Sequence, residues 1–165
     1  MSLSPQFVLY EDDHGRIQSA ADRLVHDANA KAVFLVDRNG QLVAESGEFG
    51  DVDTISLASL VAGNIAASGG LAKLLGEREF PTQFHQGERD NVHVSLLAGR
   101  IILVVIFDER SSLGLVRLRV KKANHTLGAL FEELFRKGEA EFETDDPGEA
   151  FSMITAEDID NLFSD

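Results

Sequence analysis

The chain has 165 residues, of which 44% are hydrophobic, which is enough for one domain with a buried core and an appendage. It contains no cysteine, which excludes disulfide bonds, thiolate zinc sites and cysteine nucleophiles. The formal net charge is −13, and residues 139–165 hold ten acidic and no basic side chains. Nucleic acid is therefore not expected as a partner.

The first third of the chain predicts a helix followed by a hairpin. Apolar residues recur at helical spacing over 13–28, behind a capping Asp12 or Asp13. Two apolar segments, 31–37 and 42–46, then flank an Asn39-Gly40 pair. Asn-Gly supplies the positive φ angles that tight hairpin turns require, so a β-hairpin is expected here. The N-terminal segment 1–13 lacks the features of a signal peptide, which favours a cytoplasmic protein.

An uncharged segment, 54–72, follows and predicts a second helix. Asp53 or Thr54 is expected to cap its start, and Gly76 to end it. The larger apolar residues predict the core face of this helix: Leu57, Leu60, Val61, Ile65, Leu71 and Leu75. The small residues predict an exposed face with Lys73 at its end: Ala58, Ser59, Ala62, Ala66, Gly69 and Gly70.

Three interpretations of this uncharged helix remain open. A membrane span is disfavoured because Ser56, Ser59, Asn64 and several glycines are costly in hydrocarbon. A helix enclosed in the core would be bulky all round and would avoid adjacent glycines, each of which costs roughly 1 kcal/mol relative to Ala. The favoured interpretation is an interface helix whose small face allows close approach by a partner.

The second half predicts three strands and a long helix. Segment 79–86 is a candidate edge strand because it contains Pro81. Segments 91–97 and 101–107 form a second hairpin, and the latter is apolar on both faces, as expected of a central strand covered on both sides. A helix over 115–137 completes an α/β sandwich (α+β class) in the order α-β-β-α-β-β-β-α, with a five-stranded sheet between helices.

The acidic C-terminal region predicts an appendage to a domain that spans 1–137. Residues 138–154 are expected to form a flexible acidic linker. Residues 155–165 predict a short amphipathic helix with apolar Ile159, Leu162 and Phe163 behind a capping Thr155. This segment is either a recognition motif that folds on docking or a chain end that packs on its own domain.

The sequence favours binding over catalysis. The five histidines are scattered without metal-ligand spacing, so no metal site is expected. Phosphate-binding, dinucleotide-binding and nucleophile-elbow motifs are absent, so neither a cofactor nor enzymatic activity is expected. The one basic cluster is a solvated face, a docking place for the acidic tail or a contact for an acidic partner: Arg117, Arg119, Lys121 and Lys122.

Four sequence blocks carry a family resemblance. The segments FLVDRNGQL (34–42), SLASLVAGNIAASGGLAKLLGEREFPTQFHQG (56–87), VVIFDERSSLGLVRLRVKKA (104–123) and DIDNLF (158–163) resemble MglB-type Roadblock/LC7 regulators of bacterial polarity. The resemblance implies the Roadblock/LC7 fold, with an antiparallel sheet. It also implies a cytoplasmic homodimer, concentrated at a cell pole, that activates the GTP-bound form of an MglA-like, Ras-like small GTPase in cell polarity or motility.

The resemblance further implies which residues meet the GTPase. Helix two would contribute Ser59, Ala62, Gly63, Ala66, Gly70 and Lys73. The tail residues Ile159, Leu162 and Phe163 would reach the GTPase and affect nucleotide exchange. Such activators reshape the switch regions without an arginine finger, so Arg78, Arg89, Arg100 and Arg110 are given no catalytic role. Two alternatives stay open, a structural Roadblock adaptor without effect on hydrolysis and a PAS/GAF-like ligand sensor.

Overall fold

The computed structural model describes residues 11–144, with side chains through Ala140. The helices are α1 (Glu11–Asp27), α2 (Thr54–Leu74) and α3 (Leu113–Thr144). The strands are β1 (Ala32–Asp37), β2 (Leu42–Gly47), β3 (Thr82–Gln86), β4 (Asn91–Leu97) and β5 (Ile101–Phe107). This is the element order that the sequence predicts.

The five strands form one antiparallel sheet in the order β2-β1-β5-β4-β3. The central position of β5 confirms the prediction from its apolar residues on both faces, and Ile101 to Val105 are all buried. The predicted edge strand is also confirmed, because β3 pairs only with β4 and begins directly after Pro81. Within residues 11–144, one long side of β3 is therefore left without a strand neighbour.

The tight hairpin turn lies between β4 and β5 rather than between β1 and β2. Between β1 and β2, Gly40 has a φ of +87° but Asn39 has no positive φ, so the prediction for Asn39 is wrong. The loop is wider, and the Asp37 carboxylate accepts from the backbone N–H groups of Asn39 and Gln41, each at 2.9 Å. The tight turn joins β4 to β5, where Ala98 and Gly99 have φ of +50° and +69°.

Helices cover both faces of the sheet, as predicted. On one face, Phe34, Val36 and Val104 form a buried cluster with Ala58 and Ile65 of α2. The alternate strand residues, such as Val33 and Leu103, point to the other face and are fully buried as well. That second face is covered by α1 and the first half of α3, which contribute Ile17, Leu24, Val116 and Leu127 to the buried core.

The last helix is longer than predicted. It ends at Thr144 rather than near Lys137, because residues 138–144 are mostly Ala and Glu, which favour helix, and contain no proline. Residues 11–131 form one compact unit, and residues 132–144, which are helical, belong to a second one. The remainder of the predicted linker and the C-terminal motif lie outside the described residues.

Candidate interaction surface

The N-terminus of α2 is fixed by a side-chain cap. Asp53 Oδ1 accepts from the backbone N–H of Ser56 at 3.1 Å, and the Ser56 hydroxyl donates to Asp53 Oδ2 at 2.6 Å. These two bonds satisfy a free helix N–H and hold the carboxylate in place. They also lower the pKa of Asp53, the hydroxyl of Ser56 being the largest cause and its backbone N–H the next.

The C-terminus of α2 ends in a Schellman motif. Gly76 has a φ of +78°, and its N–H donates to the Lys73 carbonyl at 3.2 Å. The N–H of Glu77 reaches back to the Ala72 carbonyl at 2.9 Å. The predicted end at Gly76 is confirmed, and the helix is defined at both ends by residues that the sequence identified.

The core-facing side of α2 differs from the predicted one. The buried residues are Ala58, Ala62, Ile65 and Ala72, of which the first three pack in the cluster on the sheet. Leu60, Leu71 and Leu75 are exposed. The predicted core assignment of those three leucines is therefore wrong, while Ile65 is buried and Leu57 and Val61 pack partly against the core. Alanine at the contact lets the helix backbone lie close to the sheet. Because α2 has no charged face, only the contrast between large and small residues indicated a buried side, and it indicated the wrong one.

The turn between β1 and β2 also touches α2. A Cβ placed on Gly40 would lie 3.2 Å from Ser59 Cα and 3.6 Å from Ala62 Cβ. This close approach explains why Ala62 is only 9% exposed, contrary to its expected place on the outer face. The β1–β2 turn therefore helps to set the distance between the N-terminal half of α2 and the sheet.

The outer side of α2 carries two adjacent rows, which together are called the α2 surface here. The small row contains Ser59, Gly63, Ala66 and Gly70, all exposed, with exposed Lys73 at its end. The large row contains Leu60, Leu71 and Leu74, of which Leu60 is 74% and Leu74 85% exposed. Five of the six predicted site residues of this helix thus lie together. The sequence interpretation misses the large row because it assigns Leu60 and Leu71 to the core and gives Leu74 no role.

The glycines of α2 are not required by the packing of their own chain. A Cβ built on Gly63, Gly69 or Gly70 meets no heavy atom within 4 Å, and all three have helical φ. Alanine would therefore fit at each position and would favour the helix by up to about 1 kcal/mol. Glycine there leaves the helix backbone open to close approach from outside.

The comparisons with known proteins identify the family. The Roadblock/LC7 domain profile matches residues 17–107, which include α2 and all five strands. The chain belongs to the Roadblock/LC7 family. Within that family it is an MglB homologue, because it is 57% identical to Myxococcus xanthus MglB over 77% of this chain and 96% of that chain, with a TM-score of 0.73.

Further solved structures agree with this assignment. The gliding protein MglB of Thermus thermophilus is 36% identical over 79% of this chain and 99% of its own, with a TM-score of 0.74. A structure described as MglB with a tetrameric arrangement is 36% identical over 80% of this chain and 99% of its own, with a TM-score of 0.73. No curated protein sequence matches the chain.

The apolar surface of α2 makes this helix of the MglB homologue resemble a membrane span. Among the described residues it is the one helix, Thr54–Leu74, long and apolar enough to cross a bilayer, and 22% of its most apolar window is buried. The helix nevertheless packs Ala58 and Ile65 on a sheet core, which gives it a fixed inner and outer side. A protein partner on the outer side would cover the exposed leucines equally well.

Two arginines and one histidine of the MglB homologue are engaged or buried within the chain. Arg38 forms an ion pair with Glu79 and donates to the Gly99 carbonyl at 2.7 Å, and Arg110 pairs with Asp108 at 3.0 Å. Within residues 11–144, no cluster of side chains suited to metal binding is present. His93 on β4 is buried, and this burial, followed by the charge of Arg117, lowers its pKa.

Proposed function

We propose that this MglB homologue is the activator of an MglA-like, Ras-like small GTPase and binds its GTP-bound form through the α2 surface. The observation that carries the proposal is the pairing of an exposed leucine row with glycines whose Cβ positions are open. Exposed contiguous apolar surface marks interaction sites. The absence of side chains at Gly63 and Gly70 lets a partner approach the helix backbone.

The proposed active form is a homodimer. The free side of β3 offers unpaired backbone N–H and C=O groups, which a second copy of the chain would satisfy. The short length of β3, Thr82–Gln86, limits such pairing to a few bonds, so the leucine row of α2 would supply additional buried apolar area. Part of the α2 surface then serves the dimer and part the GTPase.

The proposed mechanism is a shift in the conformation of the GTPase rather than the donation of a catalytic group. A partner that binds the hydrolysis-competent arrangement of the switch regions more tightly raises its population. Apart from Lys73 at its end, the small row contains no side chain with acid, base or guanidinium chemistry. Arg38 and Arg110 are engaged within the chain. The MglB homologue is thus proposed to act without an arginine finger and without being an enzyme itself.

The C-terminal region has a secondary place in the proposal. Residues 155–165, with Ile159, Leu162 and Phe163, would form a short helix on the GTPase and affect nucleotide exchange. The acidic segment before them would link this helix to the domain. The homodimer is proposed to act in the cytoplasm, at a cell pole, without membrane insertion. Its role there would be in polarity or motility.

The decisive experiment measures phosphate release from the cognate GTPase with GTP, with and without the full-length protein. The wild type is expected to raise the rate many-fold. The double variant Ala66→Arg plus Gly70→Arg is expected to leave it at the intrinsic rate, because two long charged side chains prevent close approach. A matched control, Gly15→Arg plus Ala129→Arg, places the same changes at exposed positions of α1 and α3 and should activate normally.

The same assay decides between the proposed activator and the remaining alternatives. Complex formation without faster phosphate release would make the protein a structural Roadblock adaptor. Retained activation by the Ala66→Arg plus Gly70→Arg variant would show that the α2 surface does not bind the GTPase. A PAS/GAF-like sensor would need a ligand pocket of about 300–1,000 Å³, and the cleft between α1 and α3 measures ≈ 100 Å³.

A further inference from the structure

The side of the molecule opposite α2 carries a small cleft between α1 and α3, called the basic cleft here. It has a volume of ≈ 100 Å³, and its lining includes Arg23 and Asp27 from α1 and Arg119, Lys122 and Thr126 from α3. The rest of the lining is apolar: Ala20, Leu24, Ala123 and Leu127. Three cations and one carboxylate therefore surround an apolar floor, in a chain whose net charge is −13.

The three cations of the basic cleft are left without partners by the described part of the chain. Arg23, Arg119 and Lys122 make no hydrogen bond or ion pair with any residue there. The Nε of Arg119 is shielded from solvent and has no hydrogen-bond acceptor. The exposed Arg23 and the half-buried Arg119 have further N–H donors, which an anion placed in the cleft would satisfy.

We propose that the basic cleft binds an acidic segment of a second protein partner, with one carboxylate side chain inserted between Arg23 and Arg119. The two guanidinium groups would donate to that carboxylate, and Lys122 would add a third positive charge. The floor formed by Leu24 and Leu127 would take an apolar side chain of the same segment. This site is separate from the α2 surface, so it allows the protein to hold a GTPase and another partner together.

The shape of the site favours a protein segment over a membrane. An anionic bilayer meets a flat or convex basic face, whereas these cations converge on a concave cleft between two helices. An exposed Leu118, one helical turn before Lys122, adds apolar area at the rim for a segment that combines acidic and apolar side chains.

The test measures binding of a fluorescein-labelled synthetic peptide of glutamates interrupted by leucines to the full-length protein by fluorescence anisotropy. The wild type is expected to bind, more weakly at high salt, and a peptide with glutamine in place of glutamate should not bind. Arg119→Glu plus Lys122→Glu should weaken binding about tenfold or more. The control Arg117→Glu plus Lys121→Glu makes the same charge change outside the cleft lining, so it should weaken binding much less.

A variant on the other wall of the cleft and two competing ligands complete the test. If the Arg119→Glu variant unfolds, the exposed Arg23→Glu on α1 should weaken binding from the opposite wall of the cleft. Equal losses of peptide affinity in the cleft and control variants, or no peptide binding by the wild type, would contradict the proposed binding site. Binding to phosphatidylglycerol vesicles but not to the peptide would make the ligand a membrane. Displacement of the probe by a peptide of residues 139–165, at lower concentration than the unlabelled probe, would replace the partner by this chain's own tail.

Discussion

Gly40 and Ser59 are in such close contact that a methyl group on Gly40 would lie 3.2 Å from the Cα of Ser59. The contact joins the β1–β2 turn to the helix that carries the proposed GTPase-binding surface. A change in the turn is therefore transmitted directly to the position of α2.

Gly40→Ala is expected to destabilise the protein by about 1–3 kcal/mol, because its φ of +87° is unfavourable for alanine and the new methyl group presses on Ser59. Urea unfolding followed by circular dichroism measures the change. Gly15→Ala in α1 is the control, since a Cβ there meets nothing within 4 Å and its φ is helical. Equal unfolding midpoints for Gly40→Ala and the wild type would contradict the importance of this contact.

Gly63→Ala plus Gly70→Ala is expected to raise stability and lower GTPase activation in the same protein. Each methyl group favours the helix, by up to about 1 kcal/mol, and each narrows the approach to the helix backbone. Thermal unfolding and phosphate release are measured on one preparation. Gly128→Ala in α3, where the Cβ position is also open, should raise stability without affecting activation. Full activation by the stabilised double variant would show that close approach at these glycines is not needed.

Arg78→Ala is expected to lower activation by less than about tenfold, whereas loss of an arginine finger costs about 10³–10⁵ in rate. Arg78 is the relevant test because it follows α2 directly, two positions after Gly76. Phosphate release at saturating activator separates a defect in rate from a defect in binding. Arg89→Ala, in the β3–β4 loop, provides the comparison. A rate near the intrinsic one with the complex intact would establish Arg78 as a donated catalytic group.

His93 predicts a pH dependence of stability. Its pKa in the folded protein lies below the ordinary value of about 6.5, because burial and then Arg117 disfavour the charged form. As pH falls below about 6.5, the unfolded chain takes up a proton that the folded protein does not, so the free energy of unfolding decreases. Above that pH, His93 is neutral in both states and does not change how the free energy of unfolding depends on pH.

Urea unfolding at about pH 7.5 and about pH 5.5 tests the role of His93. His93→Gln should lose less stability between the two pH values than the wild type does, whatever its absolute stability. His85→Gln, on the exposed edge strand β3, should behave like the wild type. The same pH response in His93→Gln and the wild type would exclude His93 as the cause.

The helices and strands of this fold could be predicted because caps, prolines and apolar segments act on their immediate neighbours in the sequence. Asp53 and Gly76 marked the ends of α2, Pro81 marked the edge strand, and the doubly apolar segment 101–107 marked the centre of the sheet. The turns were less predictable, because Ala98 adopts a positive φ that tertiary pairing of β4 with β5 imposes on a residue that does not favour it.

The sequence by itself determined that α2 is a long uncharged helix with a row of small residues, and its likeness to MglB-type proteins determined the expected partner. Only the tertiary structure decided which side of that helix is buried. Ala58 and Ala62, rather than Leu60 and Leu71, meet the sheet, because small side chains allow the helix to lie close to it. A helix that is apolar all round has no amphipathic direction of its own. Its outer surface is therefore defined by the sheet and the Gly40 turn against which it packs.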